Sequence, residues 1–180
     1  MASNTDEELH SMVGGIADEL EAAVSGSLYE VDGDWKVIYD IDEWKKTEYD
    51  RKVAEFKEKH PESEFKEHMD EWRDNYGYDS YQDYLEDEIG TVDDVDEPDE
   101  VSLSEYIDKQ SLGDVRFEVD AEKNLSGGRV LFTYGGPNIW VHDDEVCGYW
   151  GVSQCTMPLD SETRSALWDW FEEQWDMIKG

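Results

Sequence analysis

Acidic side chains recur in this sequence at the spacings that line them up along one face of a helix. Asp169, Glu172, Glu173 and Asp176 step by three, one and three, and Asp79, Asp83, Glu86 and Asp87 follow a similar rhythm. On a helix such positions are neighbours ~5–6 Å apart, and like charges there destabilise it by a few tenths of a kcal/mol per pair, so their repetition points to a use. Between Arg73 and Lys109 there is no Lys or Arg at all, while fourteen acids occur, among them Glu88, Asp93, Asp94, Asp96, Glu97, Asp99 and Glu100. The chemistry open to such an array is that of a polyanion, a stand-in for nucleic-acid phosphates offered to a basic surface.

Other site chemistries are weaker. Asp93-Asp94-Val95-Asp96-Glu97 has the acids for a divalent cation, but neither register supplies both the glycine at position six and the glutamate at position twelve of an EF-hand loop. His142-Asp143-Asp144-Glu145 falls on a predicted hairpin turn, where acids serve local hydrogen bonding. His10, His60 and His68 stand alone in the sequence. Gly135-Gly136-Pro137 lies between two strands and lacks the following helix N-terminus that binds phosphate, so it reads as a kink or bulge. Cys147 and Cys155 have no further Cys or adjacent His pair to build a zinc site and are expected as reduced, partly buried thiols. No catalytic residue, metal or cofactor is therefore expected, and the chain reads as a non-enzyme.

The charge gives that reading its scale. Forty-eight carboxylates against fifteen Lys and Arg leave a net charge of −33. B-DNA carries one charge per ~1.7 Å of axis, so this excess matches roughly 55 Å of duplex, on a compact chain about 40 Å across. Such a field repels nucleic acid and anionic membranes and attracts basic proteins. The aromatic content of 13%, with eight Trp and ten Tyr, sets the chain apart from a disordered acidic tail, because it supplies the apolar area a core needs. No apolar run approaches the ~18 residues of a membrane span, and Met1 to Glu8 is acidic where a secretory signal is basic, so a cytoplasmic location is expected.

Several elements must position these acids. Asp6 to Val24 is predicted helical, with Leu9, Val13, Ile16, Leu20 and Val24 on one face. Asp32-Gly33-Asp34 turns into a short strand from Trp35 to Tyr39 whose partner is not evident. A helix from Asp42 to His60 carries Tyr49, Val53 and Phe56 on one side, and Pro61 opens another reaching Tyr76, with Phe65, Met69, Trp72 and Tyr76 as a core stripe. Ser80 to Ile89 is a third helix, and Gly90 to Val101 is expected as an exposed loop or edge outside the core. The C-terminal part is predicted as an antiparallel meander of about four strands. Val115–Val119 comes first, Ser126-Gly127-Gly128 turns the chain, and Arg129–Tyr134, Asn138–His142 and Val146–Trp150 follow. Asp160-Ser161 then caps a final helix that lays Leu167, Phe171 and Ile178 on the sheet.

The run Gly135-Gly136-Pro137-Asn138-Ile139-Trp140-Val141, with Gly148-Tyr149-Trp150-Gly151, Pro158-Leu159 and the acidic aromatic helix ending near Trp175, resembles small acidic proteins of bacteriophages and other mobile elements, over residues 112–178. In charge the chain is similar to phage and plasmid antirestriction proteins of the Ocr and ArdA type and to acidic anti-CRISPR proteins. That resemblance implies occupation of a nuclease's DNA-binding cleft. No motif of those families aligns here, so it implies no residue roles.

The expected fold is α+β: a mainly helical acidic region over 1–111 with a candidate insertion over 28–101, and the meander with its packed helix over 112–180. The expected function is inhibition of a host defence nuclease, CRISPR-Cas or restriction, by a carboxylate array comprising Asp79, Asp83, Glu86, Asp87, Glu88, Asp93, Asp94, Asp96, Glu97, Asp99, Glu100, Asp169, Glu172, Glu173 and Asp176. The partner would be a basic DNA-binding protein, with no direct nucleic acid or membrane contact, and a homodimer is compatible with this. A binding module acting through its sheet, with generic or salt-adapted acidity, is the alternative.

Overall fold

The computed structural model describes residues 4–179 and shows an α+β chain divided into two compact units. One unit takes the residues up to Val37 and those from Asp99 on; the other is 38–98. The expected boundary at 111/112 runs through the first unit. The N-terminal helix packs on the C-terminal sheet, and that joins the two ends of the chain. The expected insertion of 28–101 contains the second unit but also takes in three strands of the first.

In the first unit, α1 (Asn4–Ser25) buries Leu9, Val13, Ala17 and Leu20. A hairpin of β1 (Leu28–Val31) and β2 (Asp34–Val37) supplies the partner that the sequence left open. Its turn places Asp32 and Gly33 at φ of 55° and 84°, the left-handed pair that a tight two-residue hairpin requires.

In the second unit, Asp40 caps α2 (Ile41–Lys59) by accepting from the amides of Asp42 and Glu43. Tyr49, Val53 and Phe56 form its inner side, half-buried. The single helix expected from Pro61 to Tyr76 is two, α3 (Glu62–Glu67) and α4 (Met69–Tyr76), with Pro61 as N-cap and the break at His68. Of the expected core stripe only Phe65 is buried, Met69 and Trp72 are half-buried, and Tyr76 is exposed. Ser80 caps α5 (Tyr81–Ile89), accepting from the amide of Asp83. Within Gly90–Val101 a short 3-10 turn, Val92–Asp94, leads to β3 (Asp99–Glu100), which adds to β1 at the edge of a three-stranded sheet ordered β2-β1-β3. That stretch was expected outside the core; in fact Val95 and Val101 are buried, each in its own unit, because two valines among the acids turn inward.

After β3 comes α6 (Leu103–Gln110), a helix absent from the sequence reading, capped by Ser102 and burying Tyr106 and Ile107. The meander has five strands instead of four: β4 (Val115–Val119), β5 (Leu125–Thr133), β6 (Asn138–His142), β7 (Glu145–Trp150) and β8 (Ser153–Pro158), ordered as in sequence. The β4–β5 turn lies at 120–124, where the Asp120 side chain accepts from the Asn124 amide at 2.8 Å, and Gly127-Gly128 sits inside β5. Gly128 is there for space, since a Cβ on it would meet the Phe171 ring at 2.5 Å. Gly148 in β7 likewise passes Val13 and Leu9 of α1. The closing helix, α7 (Ser161–Lys179), buries Thr163, Leu167, Trp170 and Phe171, while Ile178, expected on the sheet, is exposed. Val130, Ile139, Val141 and Val146 meet α1 and α7 in one core. Among the described residues no helix is long and apolar enough to cross a membrane.

Candidate carboxylate surface

All fifteen predicted carboxylate residues are exposed. They fall into three stretches: α5 and the segment after it in the second unit, the edge strand β3 in the first, and α7 in the first.

On α7, the residues at 163, 167, 170 and 171 face the core, so Asp169, Glu172, Glu173 and Asp176 are turned outward by helical geometry. Asp160 holds the helix start by accepting from the Thr163 amide at 2.7 Å, and that bond keeps its carboxyl below the usual range. None of the four outward carboxylates makes a hydrogen bond or ion pair among the described residues. Seven residues of helix rise about 10.5 Å, so four charges give one per ~3.5 Å, close to the ~3.4 Å per phosphate of one DNA strand.

The second ridge is only partly as expected. Asp79 precedes the cap of α5, so it is off the helix, and it accepts from Arg73 at 3.2 Å. On the helix, Asp83, Glu86 and Asp87 stand at i, i+3 and i+4, opposite the buried Tyr84 and Leu85. Asp87 accepts from the Tyr78 hydroxyl at 2.5 Å, and this bond, with desolvation, pushes that phenol up to about 12. Glu86 accepts from Gln82 at 2.8 Å. Glu86, Asp87 and Glu88 crowd the C-terminal turn, which has no basic residue, although the helix dipole disfavours anions there.

Beyond α5, local bonds again occupy some acids. Asp94 accepts from the Thr91 amide and hydroxyl at 2.7 and 2.8 Å, which lowers its carboxyl, and Glu97 pairs with Lys45 at 2.8 Å. Ten of the fifteen, namely Asp83, Glu88, Asp93, Asp96, Asp99, Glu100 and the α7 four, have side chains with no hydrogen bond or ion pair among the described residues.

Other groups lie where the sequence did not direct attention. On the sheet face opposite the helices, Arg116 and Arg129 lie over the Trp140 ring at 4.7 and 5.0 Å. Strand alternation and pairing across β4, β5 and β6 place all three together, which spacing along the chain conceals. His10, isolated in sequence, meets Cys155 with Nδ1 to Sγ at 3.0 Å. Cys147 is buried and Cys155 half-buried, and both are free thiols raised above the ordinary range, chiefly by desolvation. Asp143 and Asp144 form the β6–β7 turn, and Gly135-Gly136-Pro137 joins β5 to β6. Among the described residues no three His, Cys, Asp or Glu side chains cluster closely enough for a metal ion. Comparison with family models, curated proteins and solved structures returns no match.

Proposed function

We propose that the protein is a nucleic-acid-mimicking inhibitor that occupies the DNA-binding cleft of a basic host defence nuclease, of the CRISPR-Cas or restriction class. The observation that carries this reading is the α7 ridge, four exposed and unpaired carboxylates at the linear charge density of a DNA strand. The acids of α5 and its following segment, and the β3 edge, add further unpaired charge. Binding neutralises phosphate-binding Lys and Arg of the partner without chemistry, association is electrostatically steered, and affinity falls with salt. No residue of this chain needs to act as a catalyst.

The test neutralises Asp169, Glu172, Glu173 and Asp176 to Asn or Gln, and separately the acids from Asp79 to Glu100. Each variant is assayed for inhibition of DNA binding by purified restriction and Cas nucleases over a range of salt. Weaker inhibition and a shallower dependence of log affinity on log salt, by up to about one unit per lost contact, support the proposal. Undiminished inhibition in both sets overturns it.

A second reading, a module that binds through its sheet, is favoured by one observation: two of the chain's few arginines flank Trp140 on one sheet face, and Trp and Arg are the residue types that dominate binding hot spots. Loss of partner binding in Trp140→Ala with retention in the neutralised variants would select it.

A further inference from the structure

The second unit contains a ring cluster centred on Tyr84, whose centroid lies 4.8 Å from Trp72, 5.2 Å from Phe56, 5.4 Å from Tyr78, 5.8 Å from Phe65 and 6.3 Å from Tyr81. Four of these rings, Phe65, Trp72, Tyr81 and Tyr84, line a cavity of about 100 Å³ with Glu64, and His60 and His68 border it. We infer that this cavity is a cation box that seats an arginine guanidinium of the basic partner; the inference deepens the proposed function and rests on it for the partner's charge.

Size, charge and occupancy converge on that ligand. The volume falls well below the ~300–1,000 Å³ of small-molecule sites, so it suits the head of one side chain. Ring faces carry negative potential, and a carboxylate at the lining excludes phosphate and favours a cation. Glu64 is exposed, and its carboxylate makes no hydrogen bond or ion pair among the described residues, so its charge is available. Elsewhere the chain's own cations cover two of its tryptophans: Lys109 lies 5.0 Å over Trp35, and Arg116 and Arg129 cover Trp140. Among the described residues no Lys or Arg covers a ring of this cluster, although α2 of the same unit is rich in Lys and carries Arg51, and α4 carries Arg73. A guanidinium is planar, weakly hydrated and stacks on aromatic faces, which an ammonium does less well. Because the rings brace one another, the box is formed before the ligand arrives, and little ordering cost falls on binding.

The experiment titrates the full-length protein at pH 8 with Nα-acetyl-arginine amide, using the neutral Nα-acetyl-citrulline amide as control. The signals followed are the indole N–H resonances of 15N-labelled tryptophans, with Trp72 assigned by Trp72→Phe. A saturable shift at Trp72 with the arginine probe and none with citrulline is expected, weakened roughly two- to fivefold in Glu64→Gln, as an exposed charge contact should be. Equal shifts from both probes, equal shifts at every indole, no saturable shift at Trp72, or unchanged affinity in Glu64→Gln would overturn the assignment. No nuclease enters this titration, so its failure is separate from failure of the inhibitor reading, which the neutralised ridges test.

Discussion

Substituting Gly128 by alanine should cost far more than the same change at its neighbour Gly127. A methyl group on Gly128 would lie 2.5 Å from two ring carbons of Phe171 and 2.9 Å from a third. That ring cannot give way easily, because Phe171 is fully buried against Trp170 at 5.0 Å and Phe117 at 6.5 Å. Overpacking of this kind costs about 1–3 kcal/mol, and contact with a braced ring puts Gly128→Ala near the upper end. At ~2–4 °C per kcal/mol for a chain of this size, the Tm should fall by about 4–12 °C. On Gly127 the same methyl meets only Glu118 at 3.6 and 3.7 Å and Asp143 at 3.8 Å, ordinary contacts, so Gly127→Ala should stay within about 0.5 kcal/mol. Urea denaturation followed by tryptophan fluorescence measures both. In Gly128→Ala combined with Phe171→Leu, the two costs should fall short of additivity by about 1 kcal/mol, as expected for residues in contact. Equal stability of the two alanine variants would refute the claim that α7 lies on β5 through this glycine.

Two further outcomes follow from the fold. Val37 ends β2 opposite Leu28 and Asp99 opens β3 opposite Glu30, so their ends are ~12 Å apart, two strand spacings across and two residues along; replacing residues 38–98 by a short Gly-Ser linker should leave a cooperatively folded first unit, seen as a single thermal transition with retained sheet signal in circular dichroism. Both thiols are raised, so less thiolate is present at neutral pH than for a free cysteine, and alkylation by iodoacetamide should be slow at pH 7 and rise steeply towards and above pH 9, with half-buried Cys155 ahead of buried Cys147 in peptide mass spectra.

The helices and strands with strong periodicity were legible: α1 through Leu9, Val13 and Leu20, and β4, β6 and β7 through alternation or apolar runs. Elements whose signal depends on what they touch were not. Gly127-Gly128 resembles a turn in sequence because its reason for being glycine, the Phe171 ring, lies more than forty residues away. The strand β8 mixes Gln154 and Thr156 with Cys155 and Met157, and as an edge strand it needs little apolar content. The helix α6 could have been found from Ser102-x-x-Glu105, the usual signature of a capped start, followed by buried Tyr106 and Ile107. At the candidate site the outward face of α7 was legible from spacing alone. Which acids are locally occupied was not, because Arg73, Thr91 and Tyr78 reach Asp79, Asp94 and Asp87 across turns, and Lys45 of α2 reaches Glu97 through tertiary packing, neither of which periodicity reports.

The scarce cations are placed unevenly over the helices. On α2, Arg51 bridges Glu48 and Glu55, and on α3, Lys66 pairs with Glu62, so this chain does neutralise helix carboxylates at i, i+3 and i+4. On the outward face of α7 it does not: Asp169 and Asp176 stand three and four residues from Glu172 with no cation between them. Glu172→Lys should therefore convert two like-charge neighbours into opposite-charge ones, each worth ~0.2–0.5 kcal/mol against repulsion of similar size, for a gain of about 1 kcal/mol. In thermal unfolding the Tm should rise by about 2–4 °C. The same variant places a positive charge in the middle of the ridge and should weaken the proposed nuclease inhibition more than Glu172→Gln does. Stability and function moving in opposite directions is the mark of acids kept at a cost to the fold, as active surfaces often are. A variant that is both more stable and equally inhibitory would show that the α7 carboxylates carry no partner, and would transfer the burden of binding to the acids of the second unit or to the sheet face around Trp140.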